Sequence, residues 1–163
     1  MCYGTNGGKN WSHVVTVYRD FEPSTPYKIC DKATGYCLAA SNATAGSQIV
    51  KAAYSTTNNN QKWLISQTSA GSFKYKITNV GTGMVLDMAG SKTVANTPIV
   101  QAVAAGTATQ AWTVKPIQNG TGFFQIQIAS TTLNAIGTST GNNMQLEAYN
   151  WTTDEMLSVN LAN

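Results

Sequence analysis

Gln61-Lys62-Trp63-Leu64-Ile65, Gln110-Ala111-Trp112-Thr113-Val114 and Glu155-Met156-Leu157-Ser158-Val159 are three versions of one phrase, the last of them decayed. Two further phrases recur with it in fixed order. Upstream stand Tyr36-Cys37-Leu38-Ala39-Ala40, Met84-Val85-Leu86-Asp87-Met88 and Thr132-Leu133-Asn134-Ala135-Ile136. Between lie Ile49-Val50-Lys51-Ala52-Ala53, Ile99-Val100-Gln101-Ala102-Val103 and Gln145-Leu146-Glu147-Ala148-Tyr149. Each phrase returns after 45 to 50 residues, so the chain is a threefold repeat, and a repeat constrains the architecture before any residue chemistry is weighed.

Inside the repeats, stretches such as Tyr27-Lys28-Ile29-Cys30, Phe73-Lys74-Tyr75-Lys76-Ile77-Thr78 and Phe123-Phe124-Gln125-Ile126-Gln127-Ile128 mix apolar and polar residues at period two. Gly, Asn, Ser and Thr clusters separate them, which predicts short strands and turns. No helical stripe of about ten residues is present. Each repeat reads as about four strands, and a unit this small does not bury its apolar face alone. Three units closing around a pseudo-threefold axis share one core and remove the sheet edges. The predicted fold is all-β, a β-trefoil over residues 27–163 in repeats 27–70, 71–118 and 119–163. Residues 1–26 form an N-terminal arm in which Val14-Val15-Thr16-Val17-Tyr18 predicts an added strand, and Pro23 and Pro26 mark the turn into the first repeat.

Composition narrows the function. The 163 residues suffice for one domain with a real core. Only 10% are charged, so polarity comes from Thr, Ser, Asn and Gly. Ten scattered Lys and Arg against seven acidic residues make no basic run, which argues against a nucleic-acid partner. No stretch approaches the roughly 18 apolar residues of a membrane span, and Met1 to Trp11 lacks the apolar core of a signal peptide. The expectation is a soluble chain without membrane insertion, secreted or unconventionally exported rather than strictly cytoplasmic, or else a module of a larger protein. His13 is the only histidine and lies in the arm, which excludes a His-rich metal site. The one carboxylate pair that sequence arithmetic leaves open for glycoside hydrolysis is Glu147 with Asp154. The chain therefore reads as non-catalytic, with no metal and no cofactor.

The Gln-x-Trp phrases, with Gly83-Met84-Val85-Leu86-Asp87 and the variant Gly35-Tyr36-Cys37-Leu38, resemble the ricin B-type β-trefoil lectins across residues 27–163. The resemblance implies core positions for Trp63 and Trp112 and a local backbone bridge for the Gln of the motif. It also implies one shallow sugar site per repeat: an Asp just after the Leu of the second phrase, a polar residue and an aromatic in the third, and an Asn before Gln-x-Trp. A sugar fans hydroxyls around one edge and offers an apolar face, so acceptors, amides and a ring are the groups such a site needs. The first repeat supplies Ala39, Lys51, Ala53 and Asn60, and lacks both carboxylate and ring. The second keeps Asp87 and Gln101, with Val103 at the ring position and Thr109 at the Asn position. The third offers Asn134, Glu147, Tyr149 and Asp154, with Trp151 two residues beyond the tyrosine. It is the preferred site, Tyr149 stacking on the sugar and Asn134, Glu147 and Asp154 holding hydroxyls, with the second repeat, through Asp87 and Gln101, as the weaker one; calcium is not required.

Three classes of function follow. The first is a non-catalytic lectin whose partner is a glycan, of galactose/GalNAc type or another saccharide. A protein-interaction trefoil, such as a protease inhibitor or toxin-complex subunit with lost sugar sites, is the second, and an enzyme the third. One weak site per chain would need a homodimer or a tether for useful avidity. Of the three cysteines, Cys30 and Cys37 flank a hairpin loop at positions matched by Thr78 and Val85. They are expected to be neighbours, bonded in an oxidising compartment, with Cys2 free.

Overall fold

Period-two alternation becomes twelve strands in the computed structural model, which describes residues 21–117, 122–137, 142–148 and 156–163. The first repeat contributes β1 (Tyr27–Asp31), β2 (Cys37–Ala40), β3 (Ile49–Ala52) and β4 (Trp63–Gln67). The second contributes β5 (Tyr75–Asn79), β6 (Val85–Met88), β7 (Ile99–Ala102) and β8 (Trp112–Pro116). The third contributes β9 (Phe123–Ile128), β10 (Leu133–Gly137), β11 (Met144–Ala148) and β12 (Leu157–Leu161). The expected strand Val14–Tyr18 lies outside the described residues, as do Cys2 and His13.

Six antiparallel pairings, β12–β1, β1–β4, β4–β5, β5–β8, β8–β9 and β9–β12, run in a ring and close a barrel with no free edge. The hairpins β2–β3, β6–β7 and β10–β11 cap one end. Single bridges join them in a circle: Gln48 with Val100, Pro98 with Gln145, Asn143 with Val50. This is the expected β-trefoil.

Trp63 and Trp112 are fully buried, and each indole N–H, which needs a partner once dry, donates to a backbone carbonyl in its own repeat: Leu38 at 3.0 Å and Leu86 at 3.2 Å. Leu157 takes the third place, opposite Asp31 as Trp63 is opposite Asn79 and Trp112 opposite Ile128. It has no N–H to offer.

The pairing between barrel and cap corrects the sequence alignment of the third repeat. Cys30 faces Cys37, Thr78 faces Val85, and Gln127 faces Asn134. Asn134 is thus the counterpart of Cys37 and Val85, and Ala135, rather than Leu133, is that of Leu38 and Leu86. The bridges agree, since they match Gln145 to Val50 and Val100. Met144 therefore stands with Ile49 and Ile99, all fully buried, and Leu146 with Lys51 and Gln101. The reason is loop length. Cap strands pair across 15 residues in the first repeat (Cys37 to Ala52) and 17 in the second (Val85 to Ala102), but only 13 in the third (Asn134 to Glu147). Matching polar residue to polar residue then slips the frame by two in β10, which keeps the faces, and by one in β11, which exchanges the face of every side chain there.

With the frame corrected, the smaller Leu157 and Ala135 have a compensation. Ile128 and Leu146 are fully buried where the other repeats place the polar pairs Asp31 and Lys51, or Asn79 and Gln101. Met156, next to Leu157, stays half-buried and accepts from Lys32 Nζ at 3.6 Å.

Cys30 and Cys37 form the expected disulfide, their α-carbons 3.9 Å apart. The described end of the arm plugs the barrel. The Phe21 ring meets Tyr27 and Tyr75 edge-on at 5.3 and 5.5 Å and Phe124 at 6.4 Å, and these are the three equivalent aromatics of β1, β5 and β9. The Glu22 backbone N–H donates to the Tyr27 hydroxyl at 3.0 Å. Phe21→Ala is expected to destabilise the fold by about 3–5 kcal/mol, comparable to Trp63→Ala. Removing the small-loop disulfide by a Cys30→Ala, Cys37→Ala double change should cost roughly 2 kcal/mol. Urea unfolding followed by tryptophan fluorescence measures all three, and a neutral Phe21→Ala would contradict the plug.

Candidate functional site

Asp87 sits in β6, largely buried, and is held from two sides. Its Oδ1 accepts the Met88 N–H at 2.7 Å, and its Oδ2 accepts Gln110 Nε2–H at 2.9 Å. Gln110 ends the short 3-10 turn Ala108–Gln110 that leads into Trp112. Its second amide hydrogen goes to the Val103 carbonyl at 3.0 Å, and its Oε1 accepts the N–H groups of Ala105 and Gly106 at 2.8 and 3.1 Å. The motif glutamine thus clamps the loop after β7 and aims the carboxylate in one set of bonds. A carboxylate has about four acceptor directions, so two remain for ligand hydroxyls, in charge-assisted hydrogen bonds stronger than neutral ones.

The first repeat shows what the clamp does without an acid. With Ala39 at the Asp87 position, Gln61 Nε2 turns to the carbonyls of Ala53 and Ala52 at 2.8 and 3.4 Å, while its Oε1 accepts from Ser55 N–H at 2.7 Å. Lys51 points inward to a buried ion pair, Nζ to Asp31 Oδ2 at 2.6 Å. Asp31 also accepts the Ala33 N–H and the Thr34 hydroxyl. Asn60 packs against Gly81, where a Cβ would collide with its side chain. None of these groups forms a sugar-facing cluster.

Gln101, read from sequence as a second hydroxyl holder, is fully buried. Its amide donates to Ser47 Oγ at 2.7 Å and to the carbonyls of Thr44 and Asn42, and its Oε1 accepts from Thr82 Oγ1 at 2.8 Å. It stitches the second repeat to the β2–β3 loop of the first. Val103, at the ring position, is 70% exposed, so the second site has an open rim without an aromatic. Thr109 is buried, its hydroxyl bonded to that of Thr107 at 3.1 Å.

In the third repeat Asn134 and Glu147 are register partners in β10 and β11. Asn134 is fully buried, and its Oδ1 and Nδ2, with the facing Gln127 Oε1, have no hydrogen-bond partner among the described residues. Glu147 is half-buried and accepts from Gln145 Nε2 at 2.6 Å. Ile136 takes the chain position of Asp87, and Ala148 that of Val103. Tyr149, Trp151 and Asp154 lie outside the described residues. What the sequence reading missed is Gln110 as the group that orients Asp87. The signal was available, because only the second repeat combines an intact Gln-x-Trp with an acid after its leucine.

Among the described residues no group of three His, Cys, Asp or Glu side chains could hold a metal, and no helix is long and apolar enough to cross a membrane.

The buried Gln127 Oε1 and the Asn134 amide, unpartnered among the described residues, carry a desolvation cost of about 1–3 kcal/mol per group. Copying the second repeat, Gln127→Thr with Asn134→Val, is expected to raise stability by roughly 1–3 kcal/mol in chemical denaturation and to leave ligand binding unchanged. A destabilised double variant would show that these amides serve another partner.

A family model described as ricin-type beta-trefoil lectin domain-like matches residues 14–102 and 73–149. No curated protein matches the chain at a significant level. Similar solved structures include the designed three-fold symmetric protein ThreeFoil, 21% identical at a TM-score of 0.73, covering 83% of this chain and 97% of that one. The ricin B-like lectin of Macrolepiota procera, solved with lactose, is 17% identical at a TM-score of 0.72, covering 88% and 99%. An exo-beta-1,3-galactanase from Clostridium thermocellum is 22% identical at a TM-score of 0.75, covering 87% of this chain but only 31% of its own. At these identities the structural likeness is one of fold, whereas the family model spans more than half of the sequence. The chain belongs to the ricin-type β-trefoil lectin domain-like family.

Proposed function

We propose that this chain is a non-catalytic carbohydrate-binding lectin whose main contact is the second repeat, with Asp87 accepting sugar hydroxyls. The observation that carries this reading is the Gln110–Asp87 clamp: a buried carboxylate, oriented by the family motif, at the edge of an open loop. The corrected frame favours this ranking over the one read from sequence, since the third repeat has Ile136 and Leu146 at the places of Asp87 and Gln101. Tyr149, Trp151 and Asp154 remain the components of a second, weaker contact. Hydrolysis is not part of the proposal. It would need two carboxylates across one cleft, and Asp87 is the only acid between residues 71 and 118.

The Cys30–Cys37 bridge supports an oxidising, extracytoplasmic setting. A single shallow site implies millimolar to micromolar affinity, so a homodimer or a tether to another module would supply avidity. Galactosides are the first ligands to test, because one neighbour in this fold was solved with lactose and another is a galactanase. On a glycan array followed by titration calorimetry, Asp87→Asn should weaken binding at least about tenfold, and Tyr149→Ala should leave most of it. The reverse pattern would return the site to the third repeat. Retention of no glycan at all would favour the protein-interaction trefoil.

A further inference from the structure

Gln110, which holds Asp87, also lines an open cleft of about 560 Å³ between the β4–β5 hairpin and the loop that precedes β8. One wall carries Gln67, Lys74 and Lys76; the other carries Ala104 and Thr107. Lys74 and Lys76 are exposed and alternate with the buried Tyr75 and Ile77. Their stems therefore leave the same face, about 6–7 Å apart. Among the described residues neither lysine is ion-paired, and the only salt bridge is Lys51–Asp31. No acidic side chain lines the cleft, and between Asp31 and Glu147 the sequence contains only Asp87, whose Oδ2 is bonded to Gln110.

The first repeat contains the same place in closed form. Lys28 is the counterpart of Lys76, since Tyr27 pairs with Trp63 as Tyr75 pairs with Trp112. Its Nζ lies 4.6 Å from the centre of the Tyr54 ring, so an aromatic face covers the cation. The counterpart of Tyr54 is Ala104, because the motif glutamines accept from the next residue in each loop, Ser55 and Ala105. The second repeat has lost the covering ring and carries a second lysine, Lys74, where the first has Pro26.

We propose that this cleft is an anion subsite for an acidic saccharide. A sulfate or carboxylate on the glycan meets Lys74 and Lys76, while a neighbouring sugar places its hydroxyls on Asp87. The proposal rests on the Asp87 reading above and assigns the class of glycan that the site takes.

The test is calorimetry on matched sets of one neutral oligosaccharide with its sulfated and its sialylated forms, at low and at high salt. The parent should bind an acidic form about tenfold more tightly than the neutral one at low salt, an advantage that shrinks as salt rises. The sulfated and sialylated arms identify which anion fits. A Lys74→Ala, Lys76→Ala double change should erase the advantage while neutral binding persists. Ala104→Tyr, which rebuilds the first repeat's cover with both charges intact, should erase it too. Equal binding of neutral and acidic forms by the parent would overturn the subsite and leave the lectin reading standing, as would an advantage that survives both variants. Failure to bind any glycan, neutral or acidic, would overturn the lectin reading and the subsite with it.

Discussion

In each repeat a single backbone pair between a barrel strand and its cap hairpin decides which side chains reach solvent: Cys30 with Cys37, Thr78 with Val85, Gln127 with Asn134. Strand side chains alternate faces, so fixing one pair fixes the whole hairpin. The leucine that follows in the first two repeats turns into the core and lends its carbonyl to an indole. The residue after that leucine is then left at the rim, where it is Ala39 in one repeat and Asp87 in the next. The chemistry of a site in this fold is thus settled by a register that is itself held by buried packing.

The same constraint explains how the repeats diverged without losing the barrel. The first locks its pair covalently and buries an ion pair, Lys51 with Asp31. Breaking one partner of such a pair would strand a charge, so the interaction ties residues to that repeat's structure rather than to ligand binding. The second uses a neutral amide, Gln101, to bond across to the first repeat, and leaves its acid free for the motif glutamine. The third abandons polarity at these places for Ile128 and Leu146, both fully buried, which offset the smaller Leu157 where the other repeats have an indole. Three solutions to one packing problem leave one oriented carboxylate at a repeat site among the described residues.

Much of this was legible in the chain. The period of the Gln-x-Trp phrase, the two-residue alternation of the strands and the spacing of Cys30 and Cys37 read directly as a trefoil with a small-loop disulfide, because burial and turn chemistry act locally. The site was legible only in part. Asp87 follows its leucine in an intact repeat, and the frame there is secure. In the third repeat the shortened β10–β11 connection hides the frame, and Ile49, Ile99 and Met144 share burial rather than identity. Asn134 therefore read as a hydroxyl holder although its amide faces Gln127 inside the sheet. Nor did sequence disclose the cleft at Lys74 and Lys76, which exists because Ala104 stands where Tyr54 covers its counterpart, a relation that needs the three repeats superposed in space.

The central claim, that a glycan docks on the Gln110-clamped carboxylate of the second repeat, is tested most directly by a proton–nitrogen NMR titration of the intact chain with a galactoside or with the best glycan from an array. The account predicts saturable shifts at the amides of Asp87, Met88, Ala105, Gly106 and Gln110, the groups bonded to that carboxylate and its clamp. Shifts confined to residues 134–157, with the second repeat unmoved, would contradict it.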